Sequence, residues 1–183
     1  MKQTLITLIF SLLLGFAFPK PVLAVENEAR STATLSFQQV SNRSNRSDKL
    51  ETFLRAFDSP LSGEAEHFVS EADRVGIDWR FVAAIAGVES TFGKHIPNGS
   101  YNAWGWGIPT GAQSGLAFSS WKEAITAVSE GLRFNYLDRG AQTVEQIGRI
   151  YAASPRWAGN VRYFLEKIET FTPNDPSLLT VTL

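Results

Sequence analysis

Glu89 is the residue of this chain best suited to moving a proton. It lies seven residues after Val82 and four after Ile85, so a helix would align it with part of the apolar stripe Phe81, Val82, Ile85, Val88 and Phe92. Its neighbours Ala83, Ala84, Ala86, Gly87 and Val88 bring no cation near it. Gly93 reads as the helix stop, which puts Glu89 in the last turn, where the negative end of the helix dipole disfavours a carboxylate. Partial burial would act in the same direction. Both effects hold a proton on Glu89 nearer neutral pH, as a general acid requires. Residue types alone leave a second reading open, a structural carboxylate that pairs with Arg80, Lys94 or a distant arginine, or caps a backbone group.

Residues 93–117 are rich in glycine and contain neither Asp nor Glu. Tyr101, Trp104 and Trp106 are interleaved there with Asn98, Asn102, Gly99, Gly105 and Gly107. Aromatic faces stack on the apolar faces of sugar rings, and Asn amides bond to hydroxyl or N-acetyl groups. One of the two tryptophans is expected to plug the core beneath the loop. Trp121 and Trp157 read as core residues from their periodicity. Glu130, between Ser129 and Gly131, is the best remaining second carboxylate, with a solvent-exposed role as its alternative; Glu123 reads as a helix cap. His67 and His95 lack metal-ligand spacing and read as surface residues, so neither a metal nor a cofactor is expected.

The segment DWRFVAAIAGVESTFGKHIPNGSYNAWGWGI resembles the catalytic region of soluble lytic transglycosylases and their lysozyme-like relatives. In those families an apolar helix ends in Glu-Ser and an aromatic residue. A loop with a serine comes next, then Ala-x-Gly opening a short strand. The matching residues here are Glu89-Ser90, Phe92, Ser100 and Ala103-Trp104-Gly105. The resemblance implies that Glu89 is the acid and that Ser100 sits on the loop steadying acid and substrate. The family's Gly-Leu-Met-Gln is Gly105-Trp106-Gly107-Ile108 here, so its substrate-binding glutamine is missing. The later run IYAASPRWAGNV is similar to the Tyr-Ala-x-x-Pro-x-aromatic-Ala pattern of bacterial endo-β-N-acetylglucosaminidases, which implies Tyr151 across the cleft from Glu89. The resemblance covers about residues 65–170. The expected substrate-binding set is Ser100, Tyr101, Asn102, Trp104, Trp106 and Tyr151.

The implied substrate is the glycan strand of bacterial peptidoglycan. Two-carboxylate glycosidases pair an acid with a base or nucleophile, and the acid-free loop supplies no second one. A single glutamate has another route: it protonates the leaving oxygen, then takes the proton from the C6 hydroxyl of the muramic acid ring. That hydroxyl closes a 1,6-anhydro bond by internal attack. Acetamide participation is a further way to replace a protein nucleophile. A lytic transglycosylase is therefore the first expectation. A hydrolytic N-acetylglucosaminidase using the same Glu89 and a non-catalytic peptidoglycan-binding module are its alternatives.

The elements that must position these residues are mainly helical. The expected fold is a lysozyme-like helical domain with a Gly/Trp-rich loop or small β-hairpin after the catalytic helix. Leu50, Phe53, Leu54 and Phe57 form one apolar face, closed by Pro60. Leu61, Ala65, Phe68, Val69, Ala72 and Val75 form the next, stopped by Gly76. Asp78 is expected to cap the Glu89 helix. Ser120 with Glu123 and Thr143 with Gln146 are capping boxes for two further helices, the first running to about Tyr136. Pro155 breaks the second, and Trp157, Val161, Phe164, Leu165 and Ile168 mark the last helix.

The chain has 183 residues, 44% of them hydrophobic, enough for one core. Met1-Lys2, the uncharged stretch Thr4 to Phe18 and Val22-Leu23-Ala24 read as a secretory signal over residues 1–24, with an uncleaved anchor as the alternative. Residues 25–47 are polar and aperiodic and read as a flexible linker. The catalytic domain is expected over 48–172 and a tail over 173–183. An exported protein, periplasmic or extracellular, is expected from the signal, with no stable membrane insertion after its removal. Without the signal 15 basic and 18 acidic residues remain, a balance with no surplus to bind nucleic acid. The chain has no cysteine, which excludes disulfides and thiol nucleophiles. A monomer is the expected state.

Overall fold

The computed structural model describes residues 22–107 and 115–172, with side chains from residue 38 onward. The expected export signal lies almost wholly outside the described residues, and the tail 173–183 lies entirely outside them. Six α-helices order the chain: α1 Val22–Ala56, α2 Ala65–Val75, α3 Phe81–Ser90, α4 Trp121–Gly131, α5 Val144–Tyr151 and α6 Trp157–Thr170. A 3₁₀ turn, Ser62–Glu64, precedes α2. A π-helical turn, Leu132–Tyr136, continues α4 into a 3₁₀ turn, Leu137–Arg139. The fold is mainly α, with no strand among the described residues. No described helix is long and apolar enough to cross a membrane.

The chain divides at Gln38, and the unit from Gln39 onward carries both the core and the site. Residues 25–47, expected to lack regular structure, lie within α1. Near their end Arg43 and Arg46 stand one turn apart and bind Asp73 of α2. Arg46 does so with two parallel bonds of 2.9 Å, a geometry that needs the helical spacing.

The core forms around α3, whose residues Phe81 to Gly87 are all buried. Alanines and Gly87 make this helix thin, so neighbours approach from every side, α6 most extensively. Leu50, Phe53 and Leu54 of α1, Phe68 and Val69 of α2, Ile125 and Val128 of α4 and Val161, Phe164 and Ile168 of α6 complete the cluster. Gly76 ends α2 in the left-handed conformation, donating its N–H to the Ala72 carbonyl. Both capping residues act as expected: the Ser120 hydroxyl accepts from Glu123 N–H, and Thr143 and Gln146 satisfy each other's backbone donors.

Two boundaries of the Glu89 helix differ from expectation. Asp78 accepts from the Arg80 N–H but lies upstream of α3, which begins at Phe81. The C-cap is Thr91 in place of Gly93, and Thr91, Phe92 and Gly93 are all left-handed, with φ of 52°, 58° and 83°. Two consecutive non-glycine residues in that region are costly and persist only where packing over-determines them. Phe92 is held between the rings of Phe53, Phe57 and Phe164 at 5.4, 4.9 and 5.0 Å. Its carbonyl accepts from the Ser59 hydroxyl at 2.8 Å.

Candidate functional site

Glu89 stands one residue before the end of α3, where the helix leaves the core. Its side chain is exposed, although its register matches Val82 and Ile85. The last turn leaves the residue as a whole exposed, while the carboxyl itself is partly desolvated, as its place on the stripe suggests. Protein nonetheless crowds the carboxyl on its inner side. Desolvation raises its pKa above the usual carboxylate range, opposed by a hydrogen bond from Trp157. The Trp157 indole Nε1–H donates to Glu89 Oε1 at 2.6 Å. An indole N–H can only donate, so it engages one carboxyl oxygen and leaves Oε2 to carry a proton. Among the described residues no other charged group perturbs the Glu89 carboxyl.

Trp157 opens α6 and is buried, as its periodicity suggests. Its polar edge, which the periodicity does not reveal, is what reaches Glu89. Tyr151, the last residue of α5, stacks on Trp157 with centroids 4.9 Å apart and planes 26° from parallel. The Tyr151 hydroxyl donates to the Trp104 carbonyl at 2.7 Å. Its phenol is pushed far above the ordinary range, first by desolvation and then by the neighbouring Glu89 and Tyr136. Trp106 lies 5.9 Å from Tyr151, and Tyr136 closes the group at 6.2 Å from Trp106 and 6.1 Å from Tyr151. Glu89 is thus flanked by an aromatic wall built from α5, α6, the π-helical turn and the loop after α3.

The wall depends on a close backbone approach. A Cβ at Gly131 would overlap the Trp106 ring, so only glycine lets that indole lie against the end of α4. Trp106 remains half-buried, with part of its surface open.

The remaining expected binding residues are placed otherwise. Trp104 is completely buried, its Nε1–H donating to the Val82 carbonyl at 2.8 Å. It is the tryptophan that plugs the core and has no surface to offer a sugar. Asn102 is buried and fully engaged: its amide donates to the Trp106 and Leu116 carbonyls, and its Oδ1 accepts from the N–H of Trp104 and Trp106. It shapes the loop and leaves no bond for a ligand. Ser100 is also buried, with Oγ accepting from Asn102 N–H. Tyr101 is exposed but packs edge-on to Trp121 at 5.2 Å, apart from the Glu89 group. Leu116 N–H to Trp106 O and Phe118 N–H to Ser100 O tie the two sides of the excursion together, but no ladder forms among its described residues.

Ser90 links the loop to the end of α3. Its hydroxyl donates to the Ala103 carbonyl at 2.7 Å and accepts from Gly93 N–H at 2.8 Å. The residue after Glu89 therefore sets the distance between α3 and Trp104–Trp106. Glu130, the other candidate carboxylate, bonds to Arg74 at 2.7 Å and is not part of the wall. Among the described residues no group of three or more His, Asp or Glu could hold a metal ion. A separate depression of about 450 Å³ lies between α5 and α6, lined by Arg149, Ser154 and Pro155 among others.

Two of the site's residues carry little sign of a binding role in the sequence. Trp157 lies 68 positions from Glu89, and only the aromatic position in the Pro-x-aromatic-Ala run hints at it. Tyr136 gives no signal, because the π-helical turn breaks the helical period there. No family model matches the chain, and no curated protein matches it.

Proposed function

We propose that this protein cleaves peptidoglycan glycan strands as a lytic transglycosylase on a lysozyme-like helical domain, with Glu89 as its only acid and base. The observation that carries the reading is the hydrogen bond from the Trp157 indole to the Glu89 carboxyl beside an aromatic wall. Desolvation raises the Glu89 pKa and so favours the protonated carboxyl, the form that would protonate a glycosidic oxygen from Oε2. Once that proton leaves, the Trp157 N–H steadies the carboxylate. The carboxylate then removes the proton from the C6 hydroxyl of the muramic acid ring, whose oxygen forms the new bond to C1 as the leaving sugar departs. Every atom of the new ring comes from the substrate, so no second carboxylate and no water are required. The rings of Trp106 and Tyr151 are the surfaces against which a sugar would lie.

The test is in-gel digestion of purified peptidoglycan, with mass spectrometry of the soluble fragments. A cleared band with fragments one water lighter than reducing-ended ones is the expected result. Reducing ends would replace internal attack by hydrolysis at the same glutamate. Absence of clearing at any pH, with wall binding retained, would reduce the protein to a binding module.

A further inference from the structure

The two tyrosines of the aromatic wall differ in what their hydroxyls do. That of Tyr151 is committed to the Trp104 carbonyl. That of Tyr136 has no hydrogen-bond partner among the described residues, although its ring is half-buried against Trp106 and Tyr151. The hydroxyl is not among the buried unpaired polar atoms, so solvent reaches it and a ligand group can take the place of water there. The backbone beneath it is unusual as well. After Gly131 the chain widens into a π-helical turn, with the Leu137 N–H shared between the Arg133 and Leu132 carbonyls. Tyr136 sits where this turn passes into 3₁₀, at φ −122° and ψ −64°. Such a turn inserts a residue relative to an α-helix and re-aims the side chains at its end, and π-helical turns occur frequently at functional sites.

We infer that Tyr136 is a substrate-binding residue, whose hydroxyl, delivered by the π-helical turn, hydrogen-bonds an N-acetylated sugar lying on Trp106 and Tyr151. The inference rests on the glycan-cleaving reading and assigns the polar grip of the same site. Tyr151 by contrast offers a sugar only its ring: its hydroxyl is committed to the Trp104 carbonyl, and the ring also supports Trp157.

The experiment is tryptophan-fluorescence titration with a soluble N-acetylglucosamine tetramer, alongside peptidoglycan lysis, for wild type, Tyr136→Phe and Tyr163→Phe. Tyr163 is exposed on α6 and serves as the control. Phe keeps the ring contacts and removes one hydrogen bond, so Tyr136→Phe is expected to bind the tetramer about five- to tenfold more weakly. The loss should appear in KM more than in kcat, and Tyr163→Phe should match wild type. As a second measurement, N-acetylimidazole should acetylate the Tyr136 hydroxyl in the free protein and not in the tetramer complex. The engaged Tyr151 should stay unmodified in both. Equal binding by wild type and Tyr136→Phe, or acetylation of Tyr136 unaffected by the tetramer, overturns the inference while leaving glycan cleavage intact. A wild type that neither binds the tetramer nor clears peptidoglycan overturns both.

Discussion

The loop after α3 and the wall facing it are both rich in aromatic and polar side chains, but they use them oppositely. In the loop, Asn102 and Ser100 turn their polar groups inward and satisfy the loop's own backbone, while the Trp104 indole donates to the Val82 carbonyl of α3. In the wall, Trp157 and Tyr136 turn theirs toward Glu89 or leave them open. No ladder forms among the loop's described residues, so its side chains supply backbone partners that a ladder would otherwise provide. In the wall the backbone finds partners within its own turns, as Trp157 N–H does at the Ser154 carbonyl and the Tyr136 carbonyl does at Ala141 N–H, so the side chains are not needed for that. Trp106 alone belongs to both regions, held by Asn102 through its backbone and open through its ring.

The division separates effects on rate from effects on stability. The largest expected effect is on rate. Glu89→Gln should lower lytic activity by roughly 10²–10⁴-fold, the usual contribution of a general acid, without loss of fold. The same variant tests the pH linkage. The pKa of Glu89 is raised in the folded state, so its contribution to stability is most favourable below the ordinary value of 4.5 and declines as pH rises through the raised value. Chemical denaturation across that window should show the decline in wild type and its absence in Glu89→Gln.

Asn102→Ala should act chiefly on stability. It leaves the Trp106 and Leu116 carbonyls without their donor and the Trp104 and Trp106 amides without their acceptor, costing about 3 kcal/mol, or roughly 10 °C in melting temperature. Thermal denaturation measures it, and an unchanged melting temperature would erase the contrast between loop and wall. Trp157→Phe keeps most of the ring packing and removes the bond to Glu89. That bond lowers the Glu89 pKa, so its loss should move the alkaline limb of the pH–rate profile further upward and slow the rate about tenfold. Glu130→Gln should change activity less than about twofold, because its carboxylate belongs to an exposed pair with Arg74. A loss as large as that of Glu89→Gln would restore a two-carboxylate mechanism.

Much of the helical frame is legible in local spacing. The caps at Ser120 and Thr143 and the stop at Gly76 depend on groups within four residues of one another. The position of Glu89 in a last turn is legible for the same reason; its exposure is not, because a stripe reports register and not what covers it. The helix through residues 25–47 is not legible locally because its anchoring at Asp73 spans 27 and 30 positions. Asn102 and Trp104 have the composition of a binding loop, and only their tertiary hydrogen bonds reveal that they are scaffold. Tyr136 is hidden by a backbone irregularity that periodicity reads as a helix running on.

The claim that Glu89 alone drives the cut is tested most directly by digesting purified peptidoglycan in ¹⁸O-labelled water with wild type and Glu89→Gln, and weighing the released fragments. The account predicts unlabelled, anhydro-ended fragments from wild type and none above background from the variant. Equal release by Glu89→Gln, or no release by wild type, would contradict it.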